Sequence, residues 1–326
     1  PFAASGVAEL ARMATRLAGS KGKVTAEFSR LADLVRESGY WARQDQAARV
    51  EAAHVRRAAD EKVYRSDLIA GRIRELIGNG TLLISLEGTA VGQVNGLAVI
   101  DLGDYAFGKP SRVTASVGIG AAGVINIERE SKLSGQTYDK AMLILDGYLR
   151  SKYARQHPLA LSAGIAMEQN YGMIEGDSAS VAELCALLSA IGDIPLKQAL
   201  AITGSVNQHG EVQAIGGVNE KIEGFFDICQ ARGLTGEEGV IIPQANRKHL
   251  MLNKAVRAAV ARGDFRVHAV AHVDQALELL TGQAAGLPDQ DGLYPTDSIN
   301  GQIQERLATF FAVRQQLNRN RGEDND

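Results

Sequence analysis

The chain has 326 residues, with 35 basic against 38 acidic side chains and a net charge of −3, so no overall positive field draws nucleic acid or an anionic membrane surface to it. Hydrophobic residues make up 45% and charged residues 22%, a balance that excludes a disordered or fibrous chain and gives room for two or three domains. No apolar run reaches the ~18–20 residues of a membrane helix, and the opening PFAASGVAEL has no signal-peptide pattern.

Without an initiator Met the chain reads as a piece of a longer protein, soluble and cytoplasmic. Its two cysteines, Cys185 and Cys229, fall in helical patterns as packed free thiols of a reducing compartment. Residues 5–77 are helix-rich: apolar positions recur every three or four residues in VAELARMATRLAG, FSRLADLVRESGYWA, QAARVEAAHVRRAA and RSDLIAGRIRELI, with ends expected at Gly19–Gly22 and Ser38-Gly39. At Asn79-Gly80 the period changes to two. TLLISLEG and AVGQVNGLAVIDLG read as strands, followed by a loop at Phe107-Gly108-Lys109-Pro110 and the strands RVTASVGI and GVINIERE.

TYDKAMLILDGYLRSKYA is then an amphipathic helix and LALSAGIAME a buried strand. From residue 179 helices (SVAELCALLSAI, NEKIEGFFDICQARG, KHLMLNKAVRAAVARG, VDQALELLTG) alternate with strands (QALAITGSV, GVIIP, FRVHAV). The pattern predicts an α/β (α+β) domain, helices packed on a mixed sheet, preceded by a small all-helical subdomain. The expected limits are 1–78 for the helical part, 79–282 for the α/β domain, and 283–326 for an exposed linker, a closing helix and a disordered RGEDND tail.

Several motifs carry no chemistry. Gly118–Gly123 matches GxGxxG, but a strand follows where a dinucleotide site needs a helix N-terminus, so it reads as a glycine-rich hairpin. The 19–24 stretch lacks P-loop spacing, and the six histidines form no HExxH pair. No cofactor or metal is expected in this chain.

EGDSAS, residues 175–180, places Ser178 just ahead of an apolar helix. The ordinary reading is a helix cap. The same place suits a nucleophile, because free N–H groups and the positive end of a helix dipole can hold an oxyanion. No histidine is near in sequence, but a lysine whose charge is removed by burial can act as base. Lys221, in HGEVQAIGGVNEKIEGFF, opens a helix after a Gly216-Gly217 turn. It is either a solvated helix lysine or that base, and the residues alone leave both open.

GDSAS, AITGS and GEVQAIGGVNEKI, in this order and spacing, resemble the Lon family of ATP-dependent proteases over residues 85–282, and the form MEQNYGMIEGDSAS is similar to the LonB-like branch. The resemblance implies a Ser–Lys dyad with Ser178 as nucleophile and Lys221 as general base. It further implies Thr203 as the hydroxyl partner of the lysine and Glu175 as an accessory acid near the dyad; the charge of such a carboxylate would favour the ammonium and hold the resting enzyme inactive, while backbone amides around Asp177–Ala179 would hold the oxyanion. GSKGKVTAEFSRLADLVRESG resembles the small helical subdomain of an AAA+ module, with Arg30 and Arg36 the candidates for its nucleotide-contacting arginine. The family implies hexameric rings, unfolded protein or peptide substrates, and ATP with Mg for the full-length protein, whose ATPase core is not in this chain. Two other readings stand beside it: a non-catalytic ring-forming scaffold, and a Ser–His–Asp hydrolase using His209, which lacks a GxSxG elbow.

Overall fold

The computed structural model describes residues 1–323. Four helices come first, α1 (Ala4–Leu17), α2 (Phe28–Gln44), α3 (Ala52–Ser66) and α4 (Leu68–Gly78). Ala42, Val50 and Val55 make a small core with Phe2, Leu10, Met13 and Leu34. The helix end expected at Ser38-Gly39 does not occur: both lie inside α2, where the Ser38 hydroxyl donates to the Leu34 carbonyl at 2.6 Å. Helix α4 belongs to another packing group, since its Ile77 enters a core of the following domain.

That domain runs β1 (Thr89–Ala90), β2 (Gln93–Asp101), β3 (Ala106–Ile119), β4 (Gly123–Asn126), α5 (Ile127–Glu130), α6 (Gln136–Tyr153), β5 (Leu161–Met167) and α7 (Ser180–Gly192). There follow β6 (Leu196–Lys197), β7 (Leu200–Ile202), β8 (Ser205–Val206), β9 (Val212–Gln213), α8 (Val218–Arg232) and β10 (Gly239–Pro243). A 3-10 helix (Gln244–His249), α9 (Lys254–Arg262), β11 (Arg266–Val270), α10 (Val273–Thr281) and α11 (Ile299–Glu323) complete it. Seven strands form one mixed sheet in the order β11-β10-β7-β2-β3-β5-β4.

The sheet separates two cores. Leu200, Ile202 and Ile241 face one side with α6, α7, α10 and α11, while the alternate residues Ala201, Val240 and Ile242 face the other with α8 and α9. This is the period-2 alternation of a sheet covered on both faces. Helix α7 is apolar and buried on every side, as a helix wrapped by others must be. Helix α8 lies directly on the β3 backbone: a Cβ on Gly108 would meet the Glu220 carbonyl oxygen at 2.1 Å, and one on Gly224 the Gly108 oxygen at 2.1 Å.

Several expected elements differ. TLLISLEG forms no strand, although Ile84 and Leu86 are buried; its alternation packs side chains inward without a partner for the backbone. The expected loop at Phe107–Pro110 is strand β3, with Pro110 opposite Leu97. Pairing to β5 starts only at Val113, so Pro110 has a strand neighbour on one side alone, where its missing N–H is tolerated. Residues 118–123 are no hairpin, because β5 lies between β3 and β4 and the glycines arch over its end. GVINIERE turns from strand to helix at Ile127, QALAITGSV breaks at Thr203-Gly204, and the helix expected from Lys248 starts at Lys254. The 283–298 segment is largely exposed, as expected of a linker, and is anchored by the buried Ala285 and Ser298. Helix α11 packs on α7 and extends to Glu323, into the RGEDND segment, whose residues 324–326 lie outside the described residues.

Candidate active site

Ser178 sits in the turn before α7, whose N-cap is Ala179. The turn is tied down from both sides. Ser180 Oγ donates to the Asp177 carbonyl at 2.9 Å and accepts from the Val206 N–H at 3.1 Å, and the Gly204 N–H donates to the Ser178 carbonyl at 2.9 Å. Among the described residues, the N–H groups of Asp177, Ser178 and Ala179 donate to no protein acceptor, which leaves them free for an oxyanion.

Lys221 approaches from the opposite face of the sheet. Its helix is preceded by the N-cap Gly217, which has φ +66° and no room for a side chain, since a Cβ there would meet Val99 Cγ2 at 2.5 Å. The lysine is 2% exposed, and its Nζ donates to two hydroxyls, Ser178 Oγ at 2.8 Å and Thr203 Oγ1 at 3.0 Å. Burial lowers its pKa from 10.5 to about 8, opposed by the negative charge of Asp177. At pH 7 this leaves roughly one lysine in ten neutral, against about one in three thousand at the ordinary value. The Asp177 carboxylate is itself held by Ser205, whose Oγ donates to Oδ2 at 2.8 Å.

Thr203 closes the triangle. It follows the last residue of β7, and its hydroxyl donates to the Ser178 carbonyl at 3.1 Å. That hydrogen is thereby committed, so Thr203 Oγ1 can only accept from the lysine. A neutral amine giving one N–H to Thr203 can turn its lone pair to the Ser178 hydroxyl. Ser178 and Lys221 border a cleft of about 740 Å³ that is also lined by residues 96–101 of β2. Pairing of β2 to β7 ends at Gly96–Ile202, so this stretch has an open edge on the β7 side.

A model of the Lon protease (S16) C-terminal proteolytic domain matches residues 85–282, and one of the archaeal LonB AAA+ ATPase LID domain matches residues 1–65. This chain belongs to the Lon protease family. A relative from Escherichia coli (strain K12), named as a Lon protease homolog, is 44% identical over 250 residues, 76% of this chain and 42% of the relative. An archaeal Lon protease of Archaeoglobus fulgidus is 30% identical over 273 residues, covering 83% of this chain and 41% of that protein. The chain therefore spans about two fifths of the length of these relatives.

In this Lon chain the acidic residue expected to act on the dyad lies elsewhere. Glu175 borders the same cleft, but its carboxylate accepts from the Thr137 N–H at 3.3 Å at the start of α6, with Gly135 leaving space for it. The Thr137 side chain, helped by the Gly176 and Thr137 amides, holds its carboxyl below the usual range. Asp177, assigned from sequence only for its backbone, is the acid whose charge reaches Lys221. His209 stands in the turn between β8 and β9 and does not border the cleft. Arg30 donates to the Gly103 carbonyl at 2.6 Å and Arg36 pairs with Asp33 at 2.7 Å.

Residues 19–24 form a helix connection closed by Gly19 N–H to Arg16 O and Lys23 N–H to Ser20 O bonds. Sequence reasoning passed over Ser205, Gly108 and Gly224. A glycine inside a strong helical pattern, such as Gly224, is itself a signal of close backbone approach.

Proposed function

We propose that this chain is the proteolytic part of an ATP-dependent, LonB-like serine endopeptidase that hydrolyses peptide bonds through Ser178 and Lys221. The observation that carries the reading is a buried lysine amine 2.8 Å from the serine hydroxyl, with hydroxyls as its hydrogen-bond partners. Lys221 Nζ takes the Ser178 Oγ proton as Oγ bonds to the peptide carbonyl carbon, and the oxyanion lies against the free amides of Asp177–Ala179. The ammonium returns the proton to the leaving amine as the C–N bond breaks. Water, losing a proton to Lys221, then attacks the ester carbonyl, and the ammonium returns that proton to Ser178 Oγ as the C–Oγ bond breaks. Thr203 orients the amine throughout.

The open edge of β2 beside Ser178 supports an extended peptide as substrate, paired to the sheet as an added strand. Such a substrate has to be unfolded first. With the LID match at residues 1–65, this favours a protein whose ATPase core, using ATP and Mg, feeds unfolded or damaged chains to this site within a cytoplasmic hexameric ring. The test is cleavage of casein and of a fluorogenic peptide by the chain and by its Ser178→Ala and Lys221→Ala variants. Loss of activity in both with the fold retained is expected; activity surviving Ser178→Ala would discard the dyad. Silence of the unmodified protein with its ATPase core restored would favour the non-catalytic scaffold.

A further inference from the structure

Helix α8, which carries Lys221, is gripped on its outer side by the helical module. Arg16, in the last turn of α1, makes a two-pronged pair with Glu223: Nη1 to Oε1 at 2.8 Å and Nη2 to Oε2 at 2.5 Å. Its Nη1 also donates to the Met251 carbonyl. Glu223 Oε1 accepts in addition from the Asn253 N–H at 2.7 Å. Asn219, one helical turn earlier, accepts from the Met251 N–H at 2.7 Å and donates to the His249 carbonyl at 3.2 Å.

Asn219 and Glu223 are four residues apart and share a face of α8, whereas Lys221, two from each, projects elsewhere. The face turned away from the dyad is thus clamped to the 249–253 segment and to α1, and the opposite side rests on Gly108. The pair is partly buried, with side-chain exposures of 24% for Arg16 and 14% for Glu223. It borders a cleft of about 470 Å³ between the helical module and the proteolytic domain. A forked guanidinium–carboxylate pair fixes direction as well as distance, which a lysine in place of the arginine would not.

We propose that Arg16 is a positioning residue for the proteolytic reaction: through Glu223 it sets the placement of α8, so that the reach of Lys221 to Ser178 depends on the docking of the helical module. This rests on the dyad reading above. A base shifted by a fraction of an ångström loses its line to the hydroxyl, and displacements near 1 Å cost roughly a hundredfold in rate. Movement of the helical module is in this way felt at the base without any contact to substrate.

The test uses the full chain with Arg16→Ala, Arg16→Lys, Glu223→Arg and the double variant Arg16→Glu/Glu223→Arg, and Arg12→Ala as control. Arg12 pairs with Glu9 within α1. Hydrogen exchange of residues 218–232 and the kcat, KM and pH profile of peptide cleavage are measured on each. Arg16→Ala is expected to speed exchange in α8 by about tenfold, lower kcat by about tenfold or more with KM within about twofold, and displace the acid limb of the pH profile. Arg16→Lys should recover little, the double variant only part, because in it the Asn253 N–H and the Met251 carbonyl lose their partners, and Arg12→Ala should match the unmodified chain. Unchanged exchange in Arg16→Ala, or faster exchange with kcat and pH profile unchanged, overturns the proposal. Ser178→Ala is run alongside: cleavage surviving there removes the dyad reading, while exchange in α8 still decides whether Arg16 holds the helix.

Discussion

Lys221 Nζ and Ser178 Oγ meet at 2.8 Å although their helices, α8 and α7, pack on opposite faces of one sheet. They meet because β7 ends at Ile202 and β2 runs on past it, leaving a gap that Thr203 borders. A cation in such a place is expensive to desolvate, and a neutral side chain of similar length is not. Lys221→Met is therefore expected to lower peptide cleavage by about a thousandfold or more while leaving the urea midpoint equal to or above that of the unmodified chain. A loss of more than about 2 kcal/mol would make Lys221 a structural residue instead.

The pH dependence follows from the same burial. The lysine acts as base only when neutral, so kcat/KM should rise with pH and level off above about 8. Asp177 opposes the lowering of that pKa, and removing its charge leaves burial unopposed. Asp177→Asn should hence move the rising limb to lower pH, with more activity than the unmodified chain on its acid side. A limb moving to higher pH, or staying in place, would show that Asp177 does not act on Lys221 through its charge.

Thr203 holds the lysine and the serine carbonyl with one oxygen. Thr203→Val keeps the shape and removes both bonds, leaving the Ser178 turn held by the Gly204 N–H alone on that side. A tenfold to hundredfold fall in kcat is expected, about 1.4–2.7 kcal/mol of transition-state stabilisation. Thr203→Ser should restore most of it. Equal losses in both variants would point to packing of the methyl group rather than to the hydroxyl.

Ser178 and Lys221 were singled out from short motifs that on their own left an ordinary and a catalytic reading open, and Thr203 came only from the family resemblance. The helix after Ser178 is apolar on all sides and Gly216-Gly217 marks the start of α8. What escaped depends on remote partners. Glu175 looks like an acid aimed at the dyad until Gly135 and Thr137, some 40 residues away in the chain, are seen to receive it. The Arg16–Glu223 pair spans 207 positions and leaves no local pattern at all. TLLISLEG fails as a strand for a related reason: the alternation of Ile84 and Leu86 reports burial, whereas strand formation needs a partner ladder that the sequence does not show.

Glu183, on α7 five residues beyond Ser178, is fully buried. Its carboxyl meets the Tyr138 hydroxyl and, at 3.5 Å, Asn126 Nδ2, while Oε2 has no protein partner. Burial pushes its pKa up to about 8, and the nearby Glu128 adds to the rise. A carboxyl with a raised folded pKa binds more protons in the folded than in the unfolded state between about 4.5 and about 8, so stability falls as pH climbs through that window. Glu183→Gln removes the titration and keeps the volume. Urea denaturation across this range should show the unmodified chain losing a few kcal/mol that the variant keeps, with the two close near pH 5 and the variant ahead above pH 8. Parallel curves would mean that Glu183 stays accessible to water and ionises normally, and α7 would then not be the dry helix that fixes Ser178.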